Sequence, residues 1–416
     1  MFRKLLTLDE ARRTIQLHFK PKPSNVEKIQ LLEACSRVLA EDVTAKLNIP
    51  PFNRSTVDGY AVKAEDTFGA YENRPGWLKV CGVVNAGESS KMAVTHGMAV
   101  EIATGAPVPE GADAVVMKEY TRREDDDLYL CSAVAKDENV MKAGSDIRKN
   151  EVALLKGQLL GSREVGVLAA LGLSKIKVYP LPRVAVLSTG AEITEPGRKL
   201  PSGRIYDINA YSLAAAVRES GGQPVYLGVF PDDETELRKT LERALESADM
   251  VITSGGVSVG PKDVMPSVVN SLGKPGVIVS GIAVKPGKPT TVASVDGKPV
   301  FSLPGHPASA LLMFHLLVRP MVLLMAGRRV ECGLEVRAFA AVRMFPAKGR
   351  RTFVMVQLEW DSGRLVAVPV QTGSSGAITT LARADGFVEI AENTQFVEAG
   401  EEVDVLVFEG FEEKRL

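Results

Sequence analysis

Met250-Val-Ile-Thr-Ser-Gly-Gly-Val-Ser-Val-Gly260 begins as a short apolar run and breaks into glycines and hydroxyl residues. Met250 to Thr253 reads as a buried strand, and the helical stretch Pro261 to Ser271 follows the loop. On either side lie further strand runs, Val184 to Ser188, Val225 to Val229, Val277 to Ser280 and Val300 to Leu303, with helical stretches at Ala210 to Ser220 and Glu234 to Ser247 between them. Such alternation predicts a largely parallel, doubly wound α/β sheet whose ligand crevice lies beyond the carboxyl ends of the strands.

The chain has 416 residues, enough for about three domains. Lysine plus arginine number 50 against 51 acidic residues, so the net charge of -1 supplies no general field toward nucleic acid or an anionic membrane. With 45% hydrophobic and 24% charged residues, the composition is that of a globular protein with ample core. Cys35, Cys81, Cys131 and Cys332 are far apart and form no CxxC, which argues against a disulfide framework or a thiolate zinc site and fits the cytoplasm. The opening MFRKLLTLDEARR turns acidic before an export signal's apolar core could form. Pro307 to Ala326 is the longest apolar stretch, but His315 and Arg319-Pro320 interrupt it, and a buried helix is expected rather than a membrane span.

Thr7-x-x-Glu10 and Ser24-x-x-Glu27 both have capping-box spacing and predict two short N-terminal helices. From about Ile49 to Asp137 short β runs alternate with Gly, Pro and Asn (Trp77 to Val84, Ala99 to Ile102, Ala114 to Met117, Leu128 to Cys131), and the acidic tip Arg122 to Asp127 reads as a solvated hairpin turn. Helical pattern returns at Arg163 to Leu171. Ile176 to Val178 and Pro180-Leu-Pro182 then form a strand and a linker, with a boundary near Tyr179. After a long helix at 308–325, the runs Thr352 to Glu359, Leu365 to Pro369 and Val403 to Val407 predict a small C-terminal β domain.

Ser188-Thr-Gly190-Ala-Glu192 and Thr253 to Gly260 each follow a strand and suit an anion bound by backbone amides and hydroxyls. Neither is a GxGxxG or Walker A motif, and Gly281 to Lys288 ends in Lys-Pro where a P-loop needs Lys-Ser/Thr. Gly256-Val-Ser258-Val-Gly260 does satisfy the nucleophile-elbow pattern, so a serine hydrolase is one alternative, with His306 and His315 as the later histidines. His315, in an apolar helix, reads as a packed core residue. Lys285-Pro-Gly-Lys288-Pro289 places two lysines on a proline-stiffened loop suited to a phosphate or oxyanion. Asp58, Asp146 and Asp263 stand in Gly- or Pro-bounded turns, and carboxylates are the ligands Mg²⁺ takes beside phosphates.

Taken in order, Pro51 to Val62, Thr104 to Val116, Gly144 to Arg148, Leu187 to Glu192, Gly203-Arg-Ile-Tyr-Asp-Ile-Asn209, Thr253 to Asp263, Lys285 to Pro289 and Leu303-Pro-Gly-His-Pro-Ala-Ser309 resemble the MoeA-type molybdopterin molybdenumtransferases of molybdenum cofactor biosynthesis. Gephyrin's E domain belongs to the same family. The resemblance implies a discontinuous N-terminal domain (1–50 and 140–178), an inserted β-rich module (51–139), an α/β molybdopterin-binding domain (179–328) and a C-terminal β-barrel-like domain (332–416). Where the family commonly has Met, an acidic residue, Asn and an acidic residue, this chain has Val57, Ala191, His306 and Thr352.

The implied reaction brings molybdate, or tungstate, to adenylylated molybdopterin, releases AMP and leaves the metal on the dithiolene sulfurs. The resemblance assigns Asp58, Asp146, Glu192 and Asp263 to Mg²⁺ or its waters, and Lys285, Lys288, Arg148 and Arg350 to phosphate and oxyanion. Thr104, Ser254, Ser258 and Ser309 are then hydroxyl donors. Gly255, Gly256, Gly287 and Gly305 allow close backbone approach, with Pro289 lining the substrate. A homodimer and a molybdopterin adenylyltransferase partner are implied as well, and a non-catalytic, gephyrin-like scaffold is the remaining alternative.

Overall fold

The structure is a computed structural model that describes residues 5–88, 91–231, 233–256, 264–330, 335–370 and 382–408. The chain divides into two compact units, one built from 28–35 and 39–177, the other from 1–27, 36–38 and 178–416.

In the first unit a six-stranded sheet runs in the order Ala114–Met117, Gly59–Val62, Met98–Ile102, Tyr71–Val84, Asp127–Ser132 and Thr121–Glu124. Gly59–Val62 is buried along its whole length because apolar side chains cover both faces: Tyr60 and Val62 join Leu78, Leu128 and Leu130, while Ala61 joins Val100, Ile102 and Val115. Glu124 pairs with Asp127 across the acidic tip, and Asp125 takes a positive φ of 51°, so the tip is the expected hairpin turn. The helix predicted near Arg163 runs Ser162–Ala170.

The second unit carries the α/β sheet, ordered Gln223–Phe230, Arg183–Thr189, Met250–Ser254, Lys298–Leu303, Thr291–Val295 and Pro275–Ser280. Its first four strands are parallel. Thr291–Val295 runs against both neighbours and is a strand beyond those expected from the sequence. Its signal is Asp296-Gly297, both at positive φ, which makes a two-residue hairpin turn into Lys298–Leu303. Leu8–His18 and Asn209–Glu219 cover one face together with the run Pro307–Met325. Glu234–Ser247 and Met265–Leu272 cover the other face, giving the doubly wound architecture.

The capping box at Thr7 forms as expected: Glu10 N–H donates to Thr7 Oγ1, and Thr7 N–H donates to Glu10 Oε2. The second predicted N-terminal helix does not form. Glu27–Gln30 is a strand beside Lys175–Val178, and Leu31 N–H donates to the Ser174 carbonyl. Glu27–Gln30 is largely exposed and offers no apolar stripe to hold a helix against a core, so sheet pairing prevails over the local cap.

Pro307–Met325 has the length and apolarity of a membrane span, yet 67% of it is buried inside the fold, as expected of a core helix. It contains a π-helical stretch, Phe314–Val318, between Pro307–Met313 and Arg319–Met325. Pro320 explains the break, since it has no N–H to give the carbonyl four residues back and its ring crowds that turn. Within the stretch, His315 packs its ring against Phe314 and Phe408, and burial pushes its pKa down to about 4. The neutral ring is therefore favoured in the folded protein. An unfolded histidine protonates near 6.5, so the unfolded chain binds the extra proton first and stability falls as pH drops from 6.5 toward 4. The expected loss is about 1 kcal/mol between pH 6 and pH 5. Urea denaturation of wild type and His315→Leu across this range should give a shallower pH dependence in the variant; parallel curves would refute the assignment.

The last element is a closed five-stranded barrel. Arg351–Asp361 pairs with Arg364–Pro369, then Glu335–Ala340, Glu402–Val407 and Gly386–Ile390 follow, and the last strand returns to Arg351–Asp361. Alternate residues Ala338, Val356, Ala367, Val388 and Val405 fill its interior.

Candidate functional site

Three loops leave the carboxyl ends of adjacent parallel strands, where a doubly wound sheet places its ligands. Ser188 stands beside Ser254, and Ser254 beside Leu303, in the strand register. The chain continues from these points into Gly190-Ala-Glu192, Gly255-Gly256 and Pro304-Gly305-His306. Gly255 has φ +91°, and an ideal Cβ there would lie 2.2 Å from the Thr189 carbonyl oxygen, so the second loop lies directly on the first. Gly255 N–H donates to Leu303 C=O at 3.3 Å, and a Cβ on Gly305 would sit 3.9 Å from Gly255 Cα. Ser254, Gly255, Gly256 and Gly305 are thereby brought together, while Ser309 is buried one turn into the following helix and Glu192 is exposed.

Behind these loops is a buried polar layer that the sequence reading did not single out residue by residue. Asp207 Oδ1 accepts from Ser188 Oγ at 2.9 Å and from Ala210 N–H at 3.1 Å. Asn209 Nδ2 donates to Ser254 Oγ and to Gly305 C=O, both at 2.7 Å. Asp207 Oδ2 and Asn209 Oδ1 are buried without a hydrogen-bond partner among the described residues. The only sequence signal was the motif Gly203 to Asn209, whose burial and bonding partners are tertiary facts.

The lysine loop is fixed differently. Val284–Lys285 runs parallel to barrel strand Arg351–Asp361, with Val284 opposite Arg351 and Lys285 opposite Thr352. Thr290 N–H and Oγ1 both donate to Gly287 C=O, and Gly281 N–H donates to Thr290 C=O, closing the loop on itself. Gly287 has φ +114° and lies against Met313, where a Cβ would come within 2.4 Å of the sulfur. The neighbouring arginines divide their tasks. Arg351 is held by Asp9, Glu389 and Glu392, whereas no carboxylate among the described residues pairs with Arg350, Lys285 or Lys288. Thr352, where an acidic residue is common in the family, is buried; it accepts from Ala347 N–H and donates to Arg350 C=O, which fixes the turn presenting Arg350.

In the other unit Asp58 Oδ1 accepts from Thr104 N–H at 2.7 Å and from Thr104 Oγ1 at 2.9 Å. The backbone bond, then the hydroxyl bond, and more weakly Lys118 hold the Asp58 carboxyl below the usual range. Its ionised form is thus favoured on folding, and the associated stability is present above the ordinary carboxylate pKa and lost as pH falls through the depressed one. Thr104→Val removes only the hydroxyl bond, so the Asp58 pKa should rise part of the way toward its ordinary value. A carboxyl-carbon NMR titration checks this, and an unmoved midpoint would mean that the hydroxyl contributes nothing. Asp146 and Arg148 are exposed on a separate turn, anchored by Asp146 N–H on Ile49 C=O and by Arg148 N–H on Glu151 Oε2. Among the described residues no three His, Cys, Asp or Glu side chains converge as a metal cage. Ser258 and Asp263 lie outside the described residues.

Residues 6–172 match the family description "MoeA N-terminal region (domain I and II)", residues 185–323 "Probable molybdopterin binding domain" and residues 337–408 "MoeA C-terminal region (domain IV)". The chain belongs to the MoeA family. It is 34% identical over 410 residues to the molybdopterin molybdenumtransferase of Haemophilus influenzae, covering 97% of this chain and 99% of that one. To the Bacillus subtilis molybdopterin molybdenumtransferase it is 33% identical over 407 residues, with 97% and 94% covered. Among solved structures, a MoeA protein of molybdopterin biosynthesis from Pyrococcus horikoshii superimposes with a TM-score of 0.85 at 42% identity, covering 98% of this chain and all of that one. A second MoeA structure from that organism gives 0.81 at 33% identity, with 97% and 100% covered. These MoeA relationships lend no support to a serine hydrolase or a non-catalytic scaffold.

Proposed function

We propose that this chain is a molybdopterin molybdenumtransferase, which inserts molybdate or tungstate into adenylylated molybdopterin and releases AMP. The observation that carries the reading is the set Lys285, Lys288 and Arg350, cations without a carboxylate partner among the described residues, on segments joined where Val284–Lys285 pairs with Arg351 and Thr352. A tetrahedral oxyanion supplies the missing counter-charge, and charge-assisted bonds from lysine and arginine suit it. Ser254, Ser309 and the backbone at Gly255, Gly256 and Gly305 offer the adenylate and pterin hydroxyl and amide donors at the strand ends, with Ser258 and Pro289 in the same role.

Asp58 fits a Mg²⁺ site because its carboxylate is kept ionised with both Thr104 bonds on Oδ1, leaving Oδ2 without a donor among the described residues. A full protein cage is unnecessary, since Mg²⁺ takes one or two carboxylates plus phosphate oxygens. Asp58, Asp146, Glu192 and Asp263 would hold it, and when bound it neutralises charge on the phosphate link. Arg148 contributes a further cation toward phosphate. The same reading includes a cytoplasmic homodimer supplied by a molybdopterin adenylyltransferase.

The test supplies adenylylated molybdopterin and Mg²⁺ with and without molybdate, and measures AMP. Molybdate-dependent AMP release is expected; release that ignores the oxyanion, or none at all, would reject the assignment.

A further inference from the structure

We propose that Asn209 is a positioning residue of this site, whose carboxamide sets the spacing between the Ser254-Gly255-Gly256 loop and the Pro304-Gly305-His306 loop. The proposal rests on the transferase reading for its catalytic consequence and on geometry alone for the spacing itself. Both hydrogens of Nδ2 are spent, one on Ser254 Oγ and one on Gly305 C=O, at 2.7 Å each. Either loop can move away only by giving up one of these short bonds. Between the two loops there is room for little more than a methyl group, since a Cβ added to Gly305 would lie 3.9 Å from Gly255 Cα, and Gly255 N–H already donates to Leu303 C=O at 3.3 Å.

Two further observations separate this role from ordinary packing. The carboxamide has only one workable orientation, because Gly305 C=O can only accept and the Ser254 hydroxyl gives its own hydrogen to Pro304 C=O, and its Oδ1 is left buried without a donor among the described residues. An unsatisfied buried acceptor is unfavourable, and such costs persist where the surrounding structure needs the group. The second observation is the anchorage of the helix start that carries Asn209. Asp207, two residues earlier, accepts from Ser188 Oγ and from Ala210 N–H, so the first helical turn is tied to the first strand end as well. One turn of chain, Asp207 to Ala210, therefore lashes the ends of three parallel strands. Neither Asp207 nor Asn209 needs to touch substrate for this.

The experiment compares wild type with Asn209→Ala and Asn209→Asp in the full chain. Amide hydrogen exchange is the readout that needs no activity. In Asn209→Ala, exchange at 253–256 and 303–307 should accelerate together by about tenfold or more, while strand Gln223–Phe230 keeps its wild-type rate. Molybdate-dependent AMP release should fall by a similar factor in both variants at pH 8. An aspartate at this buried position, beside Asp207, has a raised pKa, and only its protonated form donates a hydrogen bond to Gly305 C=O. Activity of Asn209→Asp relative to wild type should therefore recover several-fold from pH 8 to pH 6, whereas that of Asn209→Ala stays level. Loop exchange unchanged in Asn209→Ala, or identical pH profiles for the two variants, would overturn the proposal. If wild type releases no AMP in response to molybdate, the transferase reading falls while the exchange data still decide the spacing.

Discussion

Lys288→Ala should raise the molybdate concentration for half-maximal AMP release by about 10- to 100-fold, the equivalent of about 1.5–3 kcal/mol for one lost charge-assisted contact. The size follows from the setting. Lys288 is half-buried on a loop closed by Thr290 and Gly287, so the backbone that carries its ammonium is already held in place. No carboxylate among the described residues competes for it, so its charge is available to an incoming anion. The same isolation predicts that thermal stability stays within about 0.5 kcal/mol of wild type, because no described internal ion pair is broken. Lys288→Arg restores charge but with a planar fork in place of a point charge, and should recover only part of the affinity. An unaltered molybdate response in Lys288→Ala would remove Lys288 from the oxyanion site.

Gly255→Ala should be the most damaging single methyl group in the α/β layer. The residue has φ +91°, and the added Cβ would fall 2.2 Å from a backbone carbonyl oxygen, which cannot swing aside as a side-chain tip can. Strain and clash together should destabilise the protein by about 3 kcal/mol or more, and AMP release should fall to background as the loop leaves the Thr189 strand end. Gly197→Ala provides the contrast. Its φ is +87°, but an added Cβ there meets nothing within 4 Å, so only the left-handed backbone penalty of about 1–2 kcal/mol applies. Urea denaturation of the two variants separates these contributions. Equal losses would mean that the close approach of Gly255 to Thr189 contributes nothing.

What the sequence reveals and what it conceals divide along the range of the forces involved. Thr7 and Glu10 answer each other within one turn, and the run from Leu8 to Ile15 has a core to face, so the helix is readable. Ser24 and Glu27 have the same spacing, but the neighbouring backbone finds its partner some 145 residues later, at Ser174, and no local pattern announces that. Asp296-Gly297 is a local turn signal, and it makes Thr291 to Val295 readable as one arm of a hairpin. The lysine loop itself was legible, because charge on a proline-stiffened turn is a local property. That Lys285 would lie opposite Thr352, and that Arg351 rather than Arg350 would be taken up by Asp9, Glu389 and Glu392, depends on contacts between distant segments. Asp207 and Asn209 were inside a recognised motif, yet their work is done through hydrogen bonds to residues up to 96 positions away.

The pairing of Val284–Lys285 with barrel strand Arg351–Asp361 also bears on modularity. The lysine loop leaves the α/β sheet but is finished as an edge of the barrel, so its shape is the joint property of two layers that look separable on paper. Transplanting the α/β layer alone would carry the strand ends and their glycine loops intact, but would leave the two lysines on an unpaired, fraying segment. The smallest portion of this chain able to present its cations as a set is therefore not the α/β domain, and any shuffling of these parts, in the laboratory or in evolution, has to move the barrel along with the loop it completes.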